Sequence, residues 1–282
     1  MAMRQHLFLS PHFDDAVGSC GGLIARLAAR GRSVRVLTVF GGLPGGTLSP
    51  LARRIHERWG AGPQPVEERR REDARACAML SCRSAWLDIP DALYRRDDGG
   101  ASLYGGSEMI GGRPAPGDDR LADLIVPAVL AGLGGKPATV YLPYGLGGHV
   151  DHVLCRGLAA PLMAAGLAVI LYRDFYYAQG RRCFVGPYRR RRLAPPELAG
   201  KIAAFSEYRS QIPILFGDDA GMRRYFEGPG AIEEYQTADA AASGLRSPGD
   251  AGDRRAAANQ AAAASLVPEK VGVSGLGMPD LV

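Results

Sequence analysis

Short apolar runs alternate with longer amphipathic segments along the first 172 residues of the chain. Five runs predict buried strands, at residues 6–9, 33–40, 85–89, 138–143 and 167–172. Apolar residues at near-helical spacing predict helices over residues 16–30, 51–59, 66–80, 121–133, 149–165 and 195–209. Strands that alternate with helices are typical of a parallel sheet with right-handed crossovers. The pattern therefore predicts a single Rossmann-like, doubly wound α/β domain, with helices on both faces of a mostly parallel sheet.

After residue 173 this alternation weakens. Residues 181–192 contain six arginines, and such a run is usually a solvated face, with an anion-recognition patch as the alternative. From Thr237 onward the chain is mostly Ala, Gly, Ser and Pro, a composition that buries little surface and predicts a flexible tail. We expect the folded domain over residues 1–236 and the tail over residues 237–282.

Composition limits the classes of function. The chain of 282 residues is 46% hydrophobic and 22% charged, as is ordinary for a globular protein. Its net charge of +5 is small for this length, so nothing requires a nucleic-acid partner. No apolar run approaches the roughly 20 residues of a membrane span. The five scattered cysteines do not form a disulfide framework, which favours a cytoplasmic location. The oligomeric state is open, and a homo-oligomer is compatible with the sequence.

Polar side chains are concentrated where two of the predicted strands end. His12, Asp14 and Asp15 lie between the first strand and its helix, and His149 and His152 follow the fourth strand. In a doubly wound sheet with strand order 3-2-1-4-5, the first and fourth strands are neighbours at the switch point. We therefore expect the two motifs to converge, although ~135 residues separate them in the chain.

The converging groups have the chemistry of a metal site. His12, Asp15 and His152 would supply two imidazoles and one carboxylate, which suits a catalytic Zn²⁺ with an open position. The same set suits non-haem Fe²⁺, so Fe²⁺ is the alternative metal. Asp14 lies beside the ligands and could act as general base towards a water whose pKa the metal lowers to ~7.

Two further residues of the second motif are candidates for roles in the reaction. His149, if protonated, could stabilise a tetrahedral oxyanion or donate a proton to a leaving amine. Asp151 could orient one of the histidines. The simpler interpretation of Asp14 and Asp15 is that they cap the helix that follows.

A dinucleotide site is the other interpretation of this stretch. Gly18, Gly21 and Gly22 follow the first strand, but they lack the spacing of the dinucleotide fingerprint. They also lie inside the predicted helix rather than before it, so we reject this interpretation.

Residues 11–15 (Pro-His-Phe-Asp-Asp) and 148–152 (Gly-His-Val-Asp-His) resemble the two signatures of the LmbE/PIG-L family of metal-dependent N-deacetylases. The resemblance runs through most of residues 5 to about 235, and it departs from the family at Phe13, where proline is usual. The resemblance implies that His12, Asp15 and His152 are zinc ligands. It implies further that Asp14 is the general base and that His149 is the oxyanion stabiliser or acid.

The resemblance also implies residues that hold substrate. Arg69 and Asp91 match substrate-binding positions of the family, and Tyr94, on the same long loop as Asp91, is a further candidate. For Arg69 the alternative is an ion pair with Glu72 on a charged helix face. For Asp91 it is a turn residue, and for Tyr94 an aromatic side chain that pins the loop.

These expectations lead to three hypotheses. The first is a hydrolase that removes an N-acetyl group from an amino-sugar-containing small molecule, such as a glycoside, a thiol-sugar or an antibiotic precursor. The second is an amidase that cleaves a larger acyl group from a thiol-sugar conjugate. The third is a non-catalytic anion- or RNA-binding protein that uses the arginine run. The first is preferred, with a small-molecule substrate and neither a nucleic-acid nor a membrane partner.

Overall fold

The computed structural model describes residues 4–106, 109, 113–176 and 184–239. The tail predicted over residues 237–282 lies almost entirely outside the described residues and stays a prediction, although its first residue, Thr237, is the last residue of a strand. Within these described ranges, seven strands form one sheet: β1 (Gln5–Ser10), β2 (Val34–Thr38), β3 (Arg83–Trp86), β4 (Ala138–Pro143), β5 (Ala168–Tyr172), β6 (Arg189–Arg192) and β7 (Ile232–Thr237).

The strand order is β3-β2-β1-β4-β5-β7-β6. The first five strands are parallel, and β7 pairs antiparallel with both β5 and β6. The predicted order 3-2-1-4-5 is confirmed, and β1 and β4 are neighbours. The sheet is mostly parallel, and its switch point lies between these two strands because the chain winds outward from them in both directions.

Helices cover both faces of the sheet, as predicted. They are α1 (Asp15–Ala29), α2 (Pro50–Trp59), α3 (Pro65–Met79), α4 (Leu121–Leu133), α5 (Val150–Gly157), α6 (Ala159–Ala164), α7 (Pro195–Phe205), α8 (Ile212–Phe216) and α9 (Asp219–Glu227). Along β1, Phe8 packs into a core with α1, α3 and α7, whereas Leu7 and Leu9 pack into a second core with α4, α5 and α6. This alternation follows the two-residue period of a strand.

The glycines of α1 allow other elements to approach this helix closely. A Cβ atom at Gly18 would lie 2.6 Å from the Phe175 ring, and one at Gly22 would lie 2.3 Å from the Leu193 side chain. A Cβ at Gly21 would lie 2.8 Å from the side chain of Lys201, on α7. These glycines therefore serve packing inside a helix, in agreement with the rejection of a dinucleotide loop.

The described part of the arginine run agrees with the predicted solvated face in its exposure, but it forms a strand that the sequence pattern did not predict. Residues 189–192 form β6, an edge strand whose side chains are mostly exposed. Arg190 contacts Glu234 (3.1 Å), and Arg191 pairs with Glu197. Positive charge along an edge strand discourages pairing with another sheet. Residues 181–183 lie outside the described residues.

Within the described ranges, no helix has the length and apolar character needed to cross a membrane. Four cysteines in these ranges are free and buried: Cys20, Cys77, Cys82 and Cys155. The cytoplasmic location stays a prediction.

Candidate metal centre and active site

The first motif occupies the turn between β1 and α1. The Oγ atom of Ser10 accepts a hydrogen bond from Ala16 N (2.9 Å), and its hydroxyl donates to the carbonyl of His12. The Oδ2 atom of Asp15 accepts one from His12 N (2.9 Å). Asp14 occupies the N-cap position of α1, but its side chain makes no capping hydrogen bond. Capping is therefore the wrong interpretation for Asp14, whose carboxylate is used elsewhere.

The second motif follows β4 through a glycine turn. Gly145, Gly147 and Gly148 have φ values of 81°, 82° and 72°, which glycine adopts without steric cost. His149 is the N-cap residue of α5, and its Nδ1 accepts a hydrogen bond from Asp151 N (3.2 Å). In the neutral ring the proton is then on Nε2. The sharp turn places His152 in the first turn of α5.

The two motifs converge at the carboxyl edge of the sheet, as predicted. His12 Nδ1 and His152 Nε2 both lie 3.2 Å from Asp15 Oδ2. One ligand atom from each of these three residues lies within 4.8 Å of the others, and all three side chains are buried. Two imidazoles and a carboxylate that converge in this way could hold a metal ion.

The carboxylates around His12 and His152 favour positive charge between the two rings. Burial by itself lowers the pKa of a histidine, but Asp91 and Asp15 raise the pKa of His12 well above its usual value. Against the same effect of burial, Asp15 and Asp174 raise the pKa of His152 to about 9. The surrounding carboxylates thus stabilise positive charge between the two rings, which a divalent ion would supply in place of protons. The donor set therefore fits a metal.

The carboxylate of Asp151 contacts His12 through Nε2, the ring nitrogen that does not face Asp15. His12 Nε2 is 3.0 Å from Asp151 Oδ2, which also accepts a hydrogen bond from Ala92 N (3.0 Å). The other oxygen of Asp151 accepts one from the Arg95 guanidinium (2.6 Å). Burial raises the pKa of Asp151, but Arg95 and His12 more than offset it and hold the carboxyl ionised. This geometry suits the orienting role that we predicted for Asp151.

Asp14 lines the same cavity as His12 and Asp15, and it contacts Arg69. The Arg69 guanidinium donates to Asp14 Oδ1 (3.1 Å) and lies over the Trp59 ring, 4.6 Å from its centroid. Glu72 instead accepts hydrogen bonds from the backbone N (2.8 Å) and the hydroxyl (2.6 Å) of Ser210. The alternative ion pair between Arg69 and Glu72 is therefore wrong. Burial and Asp15 raise the pKa of Asp14, and Arg69 limits that rise.

His149 is held in an environment that disfavours its protonated form. Burial, and then the proximity of His12, lower the pKa of His149 to about 3. These effects disfavour the protonated ring, the form in which we expected His149 to act as an acid. Its neutral ring can still donate a hydrogen bond from Nε2.

A cavity of about 150 Å³ opens beside these groups. Its lining combines the polar groups of the two motifs with an apolar wall, and the residues are His12, Asp14, Asp15, Ile55, Trp59, Arg69, Asp91, Leu93, Met109, His149, Phe175, Tyr176, Gln211 and Leu215. The cavity is thus bordered by both the reactive groups and a surface on which an organic ligand could pack.

The predicted substrate-binding residues lie at different distances from this cavity. Arg69 and Asp91 line it. One oxygen of Asp91 accepts a hydrogen bond from Leu93 N (2.9 Å), as in a turn, and the other lies 3.5 Å from His12 Nε2. Tyr94 is outside the described lining, and its hydroxyl is 2.6 Å from His56 Nε2. A substrate contact of Tyr94 stays a prediction.

Sequence reasoning missed several residues of the site. Trp59, Met109 and Gln211 line the cavity, but nothing in their local sequence marks them as cavity residues. Asp174 lies 2.6 Å from His152 Nδ1 and was also missed. It follows β5 at the same edge of the sheet as the two motifs, so the rule that located His12 and His152 could have found it.

Comparison with known proteins identifies the family. A family model described as PIG-L, GlcNAc-PI de-N-acetylase, matches residues 7–163, more than half of the 282 residues. The chain belongs to the PIG-L family. The predicted family, and with it the class of enzyme, an N-deacetylase, is confirmed.

Relatives of known function agree with this assignment to the PIG-L family. A 2'-N-acetylparomamine deacetylase of Niallia circulans is 31% identical over 236 residues, which cover 77% of this chain and 84% of that enzyme. The zinc-inhibited form of a teicoplanin deacetylase has a TM-score of 0.70 at 26% identity, over 83% of this chain and 99% of that one. The A40926 pseudoaglycone deacetylase has a TM-score of 0.65 at 25% identity, over 83% of this chain and 96% of that one.

Proposed function

We propose that this chain is a zinc-dependent hydrolase that removes the N-acetyl group from an amino sugar of a small molecule, with antibiotic precursors as the preferred class. The observation that carries the proposal is the convergence of His12, Asp15 and His152 beside Asp14, at the edge of a cavity. The paromamine, teicoplanin and A40926 deacetylases act on molecules of this class by their names, which supports the choice of substrate.

His12, Asp15 and His152 would hold the zinc ion. Two imidazoles and a carboxylate leave an open position, as catalytic zinc sites do, and Fe²⁺ is the alternative. When bound, zinc would lower the pKa of a water molecule and polarise the acetyl carbonyl.

Asp14 is assigned the role of general base. Its carboxylate lines the cavity without ligating or capping, so it can accept a proton from the attacking water. The same carboxyl can then give that proton to the departing amine. Arg69 fixes the carboxylate through a hydrogen bond of 3.1 Å and the stacking on Trp59, which limits the orientations of the base.

His149 is assigned to the oxyanion. Its Nδ1 accepts from the backbone of α5, so Nε2 carries the proton and can donate to the oxygen of the tetrahedral intermediate. A neutral imidazole at a helix N-terminus can do this without becoming charged. This leaves proton transfer to the amine with Asp14.

Substrate contacts are assigned to the rim of the cavity. Arg69 and Asp91 offer a cation and a carboxylate to sugar hydroxyls or amines, and Trp59 offers an aromatic face. Tyr94 would act through the loop that carries Asp91, since its hydroxyl contacts His56 on α2.

An amine-release assay tests the proposal. The zinc-loaded chain is incubated with N-acetylated amino sugars, including 2'-N-acetylparomamine, and with the same sugars carrying longer acyl groups. We expect release from the acetylated sugars, its loss with a chelator, and its recovery on adding zinc. Release from only the longer amides would support the amidase hypothesis instead.

The non-catalytic hypothesis gives a different result. An anion- or RNA-binding protein would release no amine, and its binding would survive a chelator and Asp14→Asn. The arginine run offers this hypothesis little support, because Arg190 and Arg191 are engaged with Glu234 and Glu197.

A further inference from the structure

Asp174 is a buried carboxylate that the proposed reaction does not use directly. It follows β5 by two residues and is 1% exposed. Its Oδ1 lies 2.6 Å from His152 Nδ1, and its Oδ2 accepts a hydrogen bond from Leu146 N (3.0 Å). Both oxygens are therefore engaged, one by a proposed metal ligand and the other by the glycine turn that leads to that ligand.

The contact with His152 determines how its ring is presented. With the carboxylate oxygen as the acceptor of this contact, the proton of the ring lies on Nδ1. The lone pair of the neutral ring then lies on Nε2, the nitrogen that faces Asp15 at 3.2 Å. The carboxylate thus selects the tautomer that a metal requires and fixes the rotation of the ring.

His12 has the same arrangement with its nitrogens exchanged. Its Nδ1 faces Asp15 and its Nε2 contacts Asp151, whereas in His152 it is Nε2 that faces Asp15 and Nδ1 that contacts Asp174. Each supporting carboxylate is also anchored by a backbone amide from another segment, Ala92 N for Asp151 and Leu146 N for Asp174. Each imidazole of the proposed site is therefore supported independently.

The hydrogen bond from Leu146 N means that Asp174 holds a backbone turn as well as the His152 ring. Leu146 belongs to the turn of residues 145–148, which ends at His149. A single carboxylate after β5 thus contacts both the start of this motif, through a backbone amide, and its end, through His152. Loss of the carboxylate would release the turn and the ring together.

We propose that Asp174 is a positioning residue that fixes the tautomer and orientation of His152 for metal binding and anchors the turn that carries His149. The proposal rests on the metal site of the proposed function. It concerns the affinity for the metal and the geometry of the ring, and Asp174 itself does not contact the reacting atoms.

The test compares zinc affinity in the full-length wild type and Asp174→Asn, by competition with a chelator. An Asn side chain has one acceptor oxygen and one donating amide, so it cannot accept hydrogen bonds from both His152 Nδ1 and Leu146 N. We expect zinc to bind about 10–100-fold more weakly, as for other partners of metal-bound histidines. A ¹H–¹⁵N NMR spectrum of the zinc-loaded protein should show the Nδ1–H signal of His152 shifted or lost in the variant.

Glu234→Gln is the matched control. Glu234 lies on the neighbouring β7 and contacts Arg173 and Arg190, so this change removes one carboxylate charge nearby without touching His152. Its zinc affinity and its His152 signal should equal those of the wild type. Should Asp174→Asn be too unstable to purify, Asp174→Ala is examined in the same way.

The outcomes separate the two proposals. A wild type that binds zinc tightly, together with an Asp174→Asn variant of equal affinity and an unchanged ring signal, overturns the positioning role alone. Equal weakening in Asp174→Asn and Glu234→Gln also overturns it, because the effect would then be one of net charge. A wild type that binds no zinc overturns the proposed function, and the inference fails with it.

Discussion

Helix α1 borders two buried groups of charges that differ in how completely the charges are matched. Beside the middle of the helix, Lys201 Nζ lies 2.9 Å from Glu233 Oε1, and both side chains are 1% exposed. The carboxylate of Glu233 also accepts hydrogen bonds from Gly22 N (2.9 Å), Leu23 N (3.0 Å) and the Tyr235 hydroxyl (2.6 Å). One cation balances one anion here, and both oxygens of Glu233 are fully engaged.

The group at the start of α1 is built differently. Two carboxylates and two imidazoles, from Asp14, Asp15, His12 and His152, lie within one small region. The nitrogens of two rings face a single oxygen of Asp15, and Asp14 lines a cavity of about 150 Å³. Donor atoms thus converge on one point and border a space that a ligand can enter.

Buried charges in this fold can be assigned to structure or to function by how completely the protein itself matches them. An ion pair whose hydrogen bonds are complete within the protein holds elements together, here α1, α7 and β7. A group of titratable side chains that converges and opens onto a cavity is a candidate site. The two groups should therefore respond to mutation in opposite ways, one in stability and the other in metal binding and turnover.

The largest effect is expected from removing a metal ligand. His12→Ala, Asp15→Ala and His152→Ala should each lower the zinc content below one ion per chain. Turnover should fall by at least the roughly 10²–10⁴-fold worth of a general base, because the base then has no activated water to deprotonate. Zinc content by elemental analysis and amine release measure the two effects, and full zinc occupancy in all three variants would contradict the ligand assignment.

Asp14→Asn should come next. It retains the size and much of the hydrogen bonding of the side chain but removes its ability to accept a proton, so turnover should fall by roughly 10²–10⁴-fold. Zinc should remain bound. Asp15→Asn is the matched control, since it should weaken zinc binding and regain part of its turnover in excess zinc. If Asp14→Asn loses zinc while Asp15→Asn keeps it, the two roles are exchanged.

Lys201→Met tests the buried ion pair between Lys201 and Glu233. The change leaves Glu233 buried without its cation, which should lower the free energy of unfolding by about 3–5 kcal/mol. Turnover and zinc content of the folded fraction should stay close to wild type. Denaturant unfolding and amine release below the transition measure both.

A double variant tests whether the loss of stability comes from the uncompensated charge of Glu233. Adding Glu233→Gln to Lys201→Met removes the uncompensated charge, so the double variant should be more stable than Lys201→Met alone. A double variant as unstable as the sum of the two single variants would mean that the pair is not the source of the effect.

The part of the fold around the site could be predicted because its signals are strong. The parallel strands β1 and β4 are apolar and buried, and their alternation with helices indicated a doubly wound sheet, for which we took the strand order 3-2-1-4-5. Because neighbouring parallel strands end at one edge, the order was sufficient to bring His12 and His152 together. The convergence thus needed no knowledge of side-chain packing.

The antiparallel part of the sheet could not be predicted in the same way. β6 consists of four arginines and has no apolar face, and β7 buries Glu233, Glu234 and Gln236. These buried polar residues are stabilised by partners that are distant in sequence, such as Lys201 and the backbone of α1. A hydrophobic pattern therefore does not mark either strand.

The same limit applied to the partners of charged residues in the site. The charged face of α3 suggested that Arg69 pairs with Glu72, three residues away, yet its partner is Asp14. Glu72 contacts Ser210, which lies beyond α7. The choice between such partners depends on how α3 packs against its neighbours, which the sequence of one helix does not contain.

Asp73 extends the comparison, because it is a buried carboxyl that forms no ion pair within the described part of the chain. The Tyr208 hydroxyl donates to its Oδ1 (2.7 Å), while Oδ2 has no hydrogen-bond partner among the described residues. Burial raises the pKa of Asp73 from 3.8 to about 7, although Tyr208 opposes the rise. The fold thus tolerates this carboxyl by keeping it protonated over much of the pH range.

This protonation gives the smallest effect that we predict, a pH dependence of stability. Because the pKa is higher in the folded state, the folded chain binds more protons between pH 4 and 7, and stability falls as the pH rises through that window. Asp73→Asn cannot titrate. Between pH 5 and 8 the free energy of unfolding of the wild type should therefore fall by about 3 kcal/mol more than that of the variant.

Urea unfolding of both proteins at the two pH values measures this difference, in saturating zinc so that the ligands contribute equally to each. Tyr208→Phe is a useful comparison, since it removes the hydroxyl that stabilises the ionised form. Its stability should fall more steeply with pH than that of the wild type. Parallel pH profiles for the wild type and Asp73→Asn would mean that Asp73 is ionised in the folded protein. A nearby cation, such as Arg69, would then balance its negative charge.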